Sequence, residues 1–266
     1  MKGPAGVLAF VLAETVTGGA AFLFLMPLWN EVRPSFFKLS GVILLALTAA
    51  MWASVHTATQ PLLDSTLGSQ RNAAFGAELF SILFAAVTVL WVALVFFRGQ
   101  FVARVLGFSS LPFAVLVLAA LAATSDHSDV LTFIQLLAGS ALLGVVIDGL
   151  LLGHWYLTDR KLTRAPINRF ALALVLAVAV EAAAVIAAGF GPEKGSNQFS
   201  AILTAAGLAP WIAIGMIGTT ALIAAMIRVT LRGPRPTAVQ AATGFFYLAV
   251  ITAFAGEMAA KVRFLR

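Results

Sequence analysis

Eight apolar stretches, each about twenty residues long, dominate this 266-residue chain and limit what it can fold into. An α-helix needs about twenty apolar residues to cross the hydrocarbon core of a bilayer. The strands of a membrane barrel are about ten residues long and alternate in polarity, unlike these stretches. The sequence therefore predicts an all-α polytopic membrane helix bundle with about eight transmembrane helices. We predict spans at residues 5–27, 39–58, 75–97, 102–123, 131–157, 169–190, 200–227 and 239–262.

The composition excludes several classes of protein. Hydrophobic residues make up 61% of the chain and charged residues 11%, whereas soluble domains carry about 25% charged residues. The absence of cysteine excludes disulfides, thiol catalysis and Cys-ligated metal centres. The formal charge of +6 comes from cations at helix ends, so we expect contact with membrane lipids and not with nucleic acid. The first apolar run continues into a full span, so we expect no cleavable signal peptide.

Basic residues are concentrated in alternate loops. The even-numbered loops hold Arg71 and Lys194 beside several acids, whereas eleven of the 17 Lys and Arg residues fall in the odd-numbered loops. Because loops rich in Lys and Arg stay cytoplasmic, we expect both termini to be periplasmic. The cations near the two chain ends would then be periplasmic, which argues mildly against this orientation. The composition is typical of a bacterial inner-membrane protein. The eleven residues are Arg33, Lys38, Arg98, Arg104, Arg160, Lys161, Arg164, Arg169, Arg228, Arg232 and Arg235.

The chain contains signs of an internal repeat. Trp29 and Trp155 each follow a span and precede an Arg and a Pro, and they are 126 residues apart. The Gly-Phe pairs at 107–108 and 244–245 are 137 residues apart. We predict two four-helix halves, residues 1–128 and 129–266, related as a 4+4 parallel repeat. The alternative is that unrelated membrane hairpins share Arg, Gly and Pro at their ends.

Ionisable residues inside membrane spans are costly and often functional. The candidates for buried ionisable residues are Glu14, His56, Asp148, Glu181 and Glu257. The predicted topology assigns Asp148 to the cytoplasmic half and the other four to the periplasmic half. They can form a proton or cation site. Alternatively, each acid is an interfacial or interhelical hydrogen-bonding residue, and Lys261 pairs with Glu257 one turn before it.

A second candidate site lies at the cytoplasmic end of the fifth span, where His154, Trp155 and Tyr156 precede Arg160. These four residues offer hydrogen-bond donors, an aromatic plate and a cation that can hold a quinone or lipid headgroup. The alternative is an ordinary aromatic belt with snorkelling cations. At 100° per residue His154 points about 120° away from Asp148, so the two do not form a dyad within the helix.

The sequence offers little support for other cofactors or for catalysis. His56 and His154 are predicted in opposite leaflets and cannot both ligate one haem, and a single-His haem has less support than a quinone. Three scattered histidines do not predict a metal site. The chain lacks a phosphate-binding loop, an H-E-x-x-H motif and a G-x-S-x-G motif, so we name no catalytic residues and expect no catalytic activity of its own.

Two functions remain for the chain. The first is an integral subunit of a larger inner-membrane complex of respiration or electron transport, which holds quinone or lipid and contacts partner membrane subunits. Short loops and spans rich in Ala and Gly favour this interpretation. The alternative is a small secondary transporter or ion-coupled permease, with Glu14 and Glu181 as coupling carboxylates. A lipid-modifying enzyme would need a paired-acid metal site or a nucleophile–base pair, and the sequence predicts neither.

Overall fold

The computed structural model describes residues 3–97, 100–125, 129–159, 161–187, 208–234 and 237–262. Within these ranges the chain forms eight α-helices and no strand, and all eight helices are long and apolar enough to span a membrane. This confirms the predicted all-α multi-pass membrane protein. The helices are α1 (Gly3–Leu25), α2 (Pro34–Leu63), α3 (Gly68–Phe96), α4 (Gln100–Ala122), α5 (Asp129–Thr158), α6 (Ala165–Ala187), α7 (Leu208–Thr230) and α8 (Thr237–Lys261).

Several helices are longer than the spans predicted from hydropathy. Helix α2 has 30 residues and extends beyond its predicted span at both ends. Helix α3 has 29 residues and begins before its predicted span. Hydropathy detects the part of a helix that lies in hydrocarbon, whereas backbone hydrogen bonding continues into the polar interface. The predicted seventh span began at residue 200, but residues 200–207 lie outside the described part of the chain.

Helices α1 and α5 occupy the centre of the bundle. In their most apolar segments, 78% of the α1 residues and 61% of the α5 residues are buried, a larger share than in any of the other helices described. Helix α1 packs against α2, α4 and α5, and α5 packs in addition against α6 and α8. Residues on α1 and α5 are therefore shielded from the lipid by other helices.

The contact between α1 and α5 depends on glycine. A Cβ atom on Gly18 would overlap the backbone carbonyl of Ser140, and a Cβ atom on Gly144 would overlap the backbone of Gly18. Small residues let membrane helices approach backbone to backbone, where dispersion forces are strongest. We call this contact the glycine crossing.

Ion pairs connect the loops at one end of the bundle, where the α1–α2, α5–α6 and α7–α8 loops meet. We call it the basic end because these loops are rich in arginine. Arg33 Nε lies 3.1 Å from Asp159 Oδ2, and Arg169 Nη2 lies 2.6 Å from Glu31 Oε1. Arg164 donates hydrogen bonds to the carbonyl oxygens of residues 231 and 233. These contacts join the loop after α1 to the ends of α5 and α6.

Candidate functional site

Glu14, Glu181, Glu257 and Lys261 form a buried group of charged side chains, which we call the carboxylate cluster. Glu14 lies in the middle of α1, Glu181 lies on α6, and the other two residues lie at the end of α8. The exposed fraction of all four residues is 0%. The cluster is therefore enclosed by protein and draws its side chains from three helices.

Lys261 is at the centre of the cluster. Its Nζ lies 2.7 Å from Glu257 Oε2, to which it donates a hydrogen bond, and 2.8 Å from Glu14 Oε1. The Glu14 contact is a close ion pair between two fully buried side chains. Glu181 interacts electrostatically with both Glu14 and Lys261. One ammonium group thus pairs with acids from α1 and α8, and Glu181 on α6 acts on it electrostatically.

Gly139 on α5 provides the space for two of the carboxyl groups. A Cβ atom at this position would lie 2.7 Å from Glu14 Cδ and 2.9 Å from Glu257 Oε2, which is too close for a real contact. The carboxyl groups of α1 and α8 therefore lie directly against the α5 backbone at Gly139, and an added Cβ atom would displace them.

The charges of the cluster do not balance when every group is ionised. One ammonium group neutralises one carboxylate, and two negative charges then remain inside a medium of low dielectric constant. Protons or cations bound to the carboxyl groups would neutralise them. Within the described residues, no group of three or more His, Cys, Asp or Glu side chains is arranged to hold a metal ion.

The structure brings together three of the acids that the sequence singled out, Glu14, Glu181 and Glu257. The role of Lys261 was underestimated. The sequence predicted its pairing with Glu257, which the structure contains, but not its full burial or its contact with Glu14. Only the spacing of four residues to Glu257 could have indicated this, because the contact with Glu14 crosses from one end of the chain to the other.

His56 differs from the prediction of a buried ionisable residue. Its side chain is 51% exposed, and its Nδ1 lies 3.2 Å from Glu78 Oε1. The same carboxyl oxygen accepts hydrogen bonds from Thr59 and Gln60, and the Trp52 ring stacks on the imidazole at 5.7 Å. The sequence predicted burial because His56 lies inside a predicted span, and a span does not show which face of the helix points outward. We call these five residues the polar patch.

Asp148 is buried, with an exposed fraction of 3%, but it does not belong to the carboxylate cluster. It lies further along α5, where Ser40 on α2 and Thr15 on α1 line the same small cavity. The described part of the chain offers no hydrogen-bond partner to its Oδ2 atom. Asp148 is therefore a buried acid outside the cluster, and no cation of the described residues forms an ion pair with it.

The predicted headgroup site at the end of α5 stays a prediction. His154 is exposed, Trp155 is half-buried with its ring 6.0 Å from Phe36, and the buried Tyr156 donates its hydroxyl hydrogen to the carbonyl of Thr163. Three consecutive helical residues thus point in three directions. The indole N–H of Trp155 has no acceptor among the described residues. Arg160 lies outside them.

A larger cavity lies between α6 and α7 and has a different character. Its volume is about 390 Å³, and every residue that lines it is apolar. Val178 and Ala182, which flank Glu181 in the sequence, contribute to its wall. The cavity can hold an apolar chain but offers no group for binding charge.

Comparison with known proteins found no matching family model, no matching curated protein and no matching solved structure.

Proposed function

We propose that this chain is a small secondary transporter, an ion-coupled permease in which the carboxylate cluster binds the coupling protons. The observation that carries the proposal is the full burial of Glu14 and Glu257 against the ammonium group of Lys261, with the equally buried Glu181 within electrostatic range of it. Ionisable residues inside membrane spans are rare and commonly mark ion pathways or proton relays.

A purely structural role would need fewer acids. The Lys261–Glu257 pair on α8 already combines one positive and one negative charge. Glu14 and Glu181 add carboxyl groups, each of which costs several kcal/mol to bury when it is ionised. A transporter benefits from such groups because it must take up and release charge inside the membrane. A scaffold has no such need.

Proton binding at the cluster provides a means of coupling. Glu14 belongs to the predicted first half of the chain, whereas Glu181, Glu257 and Lys261 belong to the second half. A proton on Glu14 removes its charge and weakens its attraction to Lys261, since the ion pair depends on both charges. The contact between the halves then loosens when a proton binds and tightens when it leaves.

The same proposal includes the 4+4 repeat. Consecutive helices pack as neighbours in both halves, from α1 to α4 and from α5 to α8. Gly18 and Gly144 are 126 residues apart, as are Trp29 and Trp155, and the two glycines touch each other. In a parallel repeat, equivalent residues of the two halves meet on the axis that relates them. The contact of Gly18 with Gly144 therefore supports a division of the chain into the halves 1–128 and 129–266.

We further propose that the chain lies in a bacterial inner membrane with both termini in the periplasm. Arg33, Arg164 and Arg169 all lie at the basic end, and loops rich in arginine stay cytoplasmic. In this orientation the carboxylate cluster lies in the periplasmic half of the bundle and Asp148 in the cytoplasmic half.

The proposed function is tested by pH-jump currents in reconstituted liposomes adsorbed on a solid-supported membrane. We expect a transient current in the wild type that falls at least tenfold in Glu14→Gln and in Glu181→Gln. Glu78→Gln is the matched control, because Glu78 lies in the polar patch and not in the cluster. Each variant is compared only after it elutes as the wild type does in size-exclusion chromatography.

Two results would contradict the proposed function. The first is a folded wild type whose current equals that of protein-free liposomes. The second is a full current in both Glu14→Gln and Glu181→Gln. If Glu14→Gln does not fold, Glu14→Asp replaces it. The shorter side chain keeps the negative charge but moves it away from Lys261, so we expect the current to fall in this variant as well.

A second candidate function is an integral subunit of a larger respiratory or redox complex. The polar patch favours it, because His56 and Gln60 present polar atoms on a face that lipid would otherwise cover. Polar side chains on lipid-facing helices often join neighbouring membrane helices. Purification of the native protein in mild detergent tests this function: stable co-elution of other membrane subunits or of quinone supports it, and a monomer without either contradicts it.

A further inference from the structure

The cavity between α1, α2 and α5 contains polar atoms that have no partner in the described part of the chain. Asp148 and Ser40 are 3% and 2% exposed, and neither Asp148 Oδ2 nor Ser40 Oγ has a hydrogen-bond partner there. Both residues line a cavity of about 10 Å³. A cavity of this size holds about one water molecule.

Asp148 is isolated from other charges. The residues of α1 and α2 that line its cavity carry hydroxyl, hydrogen or aliphatic side chains, and so do its neighbours on α5. Within the described residues no cation lies within ion-pair distance of its carboxyl group. An ionised carboxylate in such surroundings needs a compensating positive charge. The bound species must therefore be small and positive.

The position of Asp148 relative to the carboxylate cluster is equally informative. Gly139 touches Glu14 of the cluster, Gly144 forms the glycine crossing, and Asp148 follows one turn later on α5. At 1.5 Å per residue the nine residues from Gly139 to Asp148 span about 13.5 Å along the helix. The two acidic sites thus lie on opposite sides of the glycine crossing, and Asp148 is nearer to the basic end.

We propose that Asp148 is a second proton-binding residue, which lies between the carboxylate cluster and the basic end. Its carboxyl group holds the proton and shares one water molecule with Ser40. This inference rests on the proposed function and identifies the proton as the coupling ion. When a proton moves between the sites, an O–H bond of a cluster carboxylic acid breaks and leaves a carboxylate. A new O–H bond forms on Asp148, so total charge is conserved and no other reactant is needed.

Infrared difference spectroscopy of the reconstituted full chain tests the proposal directly. We expect the wild-type spectrum to contain a carbonyl band of a protonated carboxylic acid that Asp148→Asn removes. This band should shift in D2O and disappear reversibly as the pH is raised. In Ser40→Ala the band should remain but change its frequency, because a hydrogen-bond partner of the bound water is lost. Glu78→Gln should leave the band unchanged.

Three spectroscopic results would overturn the proposal. The Asp148 band could be absent at every pH, which would mean a permanently ionised group. It could be unaffected by both pH and D2O, which would mean a fixed structural acid. It could also be lost when Na+ or Li+ is added at constant pH, which would mean a metal-cation site. Ser40→Ala keeps the carboxyl group and provides the test if Asp148→Asn does not fold.

The pH-jump currents separate this inference from the proposed function. We expect Asp148→Asn to reduce the transported charge at least tenfold. A full current in Asp148→Asn would contradict the role of Asp148 and leave the transporter intact. A wild type without current would contradict the transporter, whereas the infrared band would still decide whether Asp148 exchanges a proton.

Discussion

At the scale of single residues, the carboxylate cluster shows what a sequence can and cannot reveal. Glu14, Glu181 and Glu257 were recognisable because acids are rare inside apolar spans. Their common depth followed from the predicted topology. The contact of Lys261 with Glu14 was not predictable, because it joins residues separated by most of the chain. The exposure of His56 was equally hidden, since an apolar helix gives no indication of its outward face.

Lys261→Met tests how strongly the ammonium group stabilises the bundle. Removal of one partner of a buried ion pair typically costs about 3–5 kcal/mol, because the other charge is left without compensation. We expect a loss of this size in unfolding free energy, measured by denaturant titration in detergent micelles. In the double variant Lys261→Met/Glu257→Gln part of this loss should return. A single variant as stable as the wild type would show that the pair contributes nothing.

Gly139→Ala tests the packing of the carboxyl groups against α5. The added methyl group would overlap Glu14 and Glu257, so we expect the pH-jump current to fall at least tenfold. Gly244→Ala is the matched control, since a Cβ atom there meets nothing within 4 Å. Equal currents in the two variants would mean that the carboxyl groups can shift without consequence.

At the scale of helices, hydropathy predicted the eight elements but not all of their ends or their neighbours. The extra turns of α2 and α3 lie beyond the apolar segments that hydropathy detects, where polarity does not distinguish helix from loop. The glycines of α1 and α5 predicted close packing in general, because small residues favour it. Which glycines touch could not be predicted, because many small residues are distributed over every span.

The glycine crossing makes a prediction about stability. Gly18→Ala would insert a methyl group between two helix backbones, and overpacking of this kind costs about 1–3 kcal/mol. At Gly215 a Cβ atom meets nothing within 4 Å, and Gly→Ala in a helix interior stabilises by up to about 1 kcal/mol. We therefore expect opposite signs of the change in thermal midpoint for Gly18→Ala and Gly215→Ala. Two changes of the same sign would contradict the crossing.

At the scale of the whole molecule, the absence of cysteine allows a clean test of orientation. Thr163 lies at the basic end and Thr66 lies in the loop between α2 and α3, and both are exposed. In bacterial cells we expect a membrane-impermeant maleimide to label Thr66→Cys and to leave Thr163→Cys unlabelled until the cells are opened. The reverse pattern would overturn the periplasmic assignment of the termini and exchange the leaflets of the two acidic sites.

The glycine crossing has one more mechanical consequence. Two rods that touch backbone to backbone at a single place turn about it as a pivot, so their ends on either side move in opposite senses. Separation of α1 from α5 near Glu14 would then press the two helices together near Asp148. Separation of the helices near Asp148 would press them together near Glu14. A pivot at this position would couple the packing of α1 on α5 beside the carboxylate cluster to their packing beside Asp148.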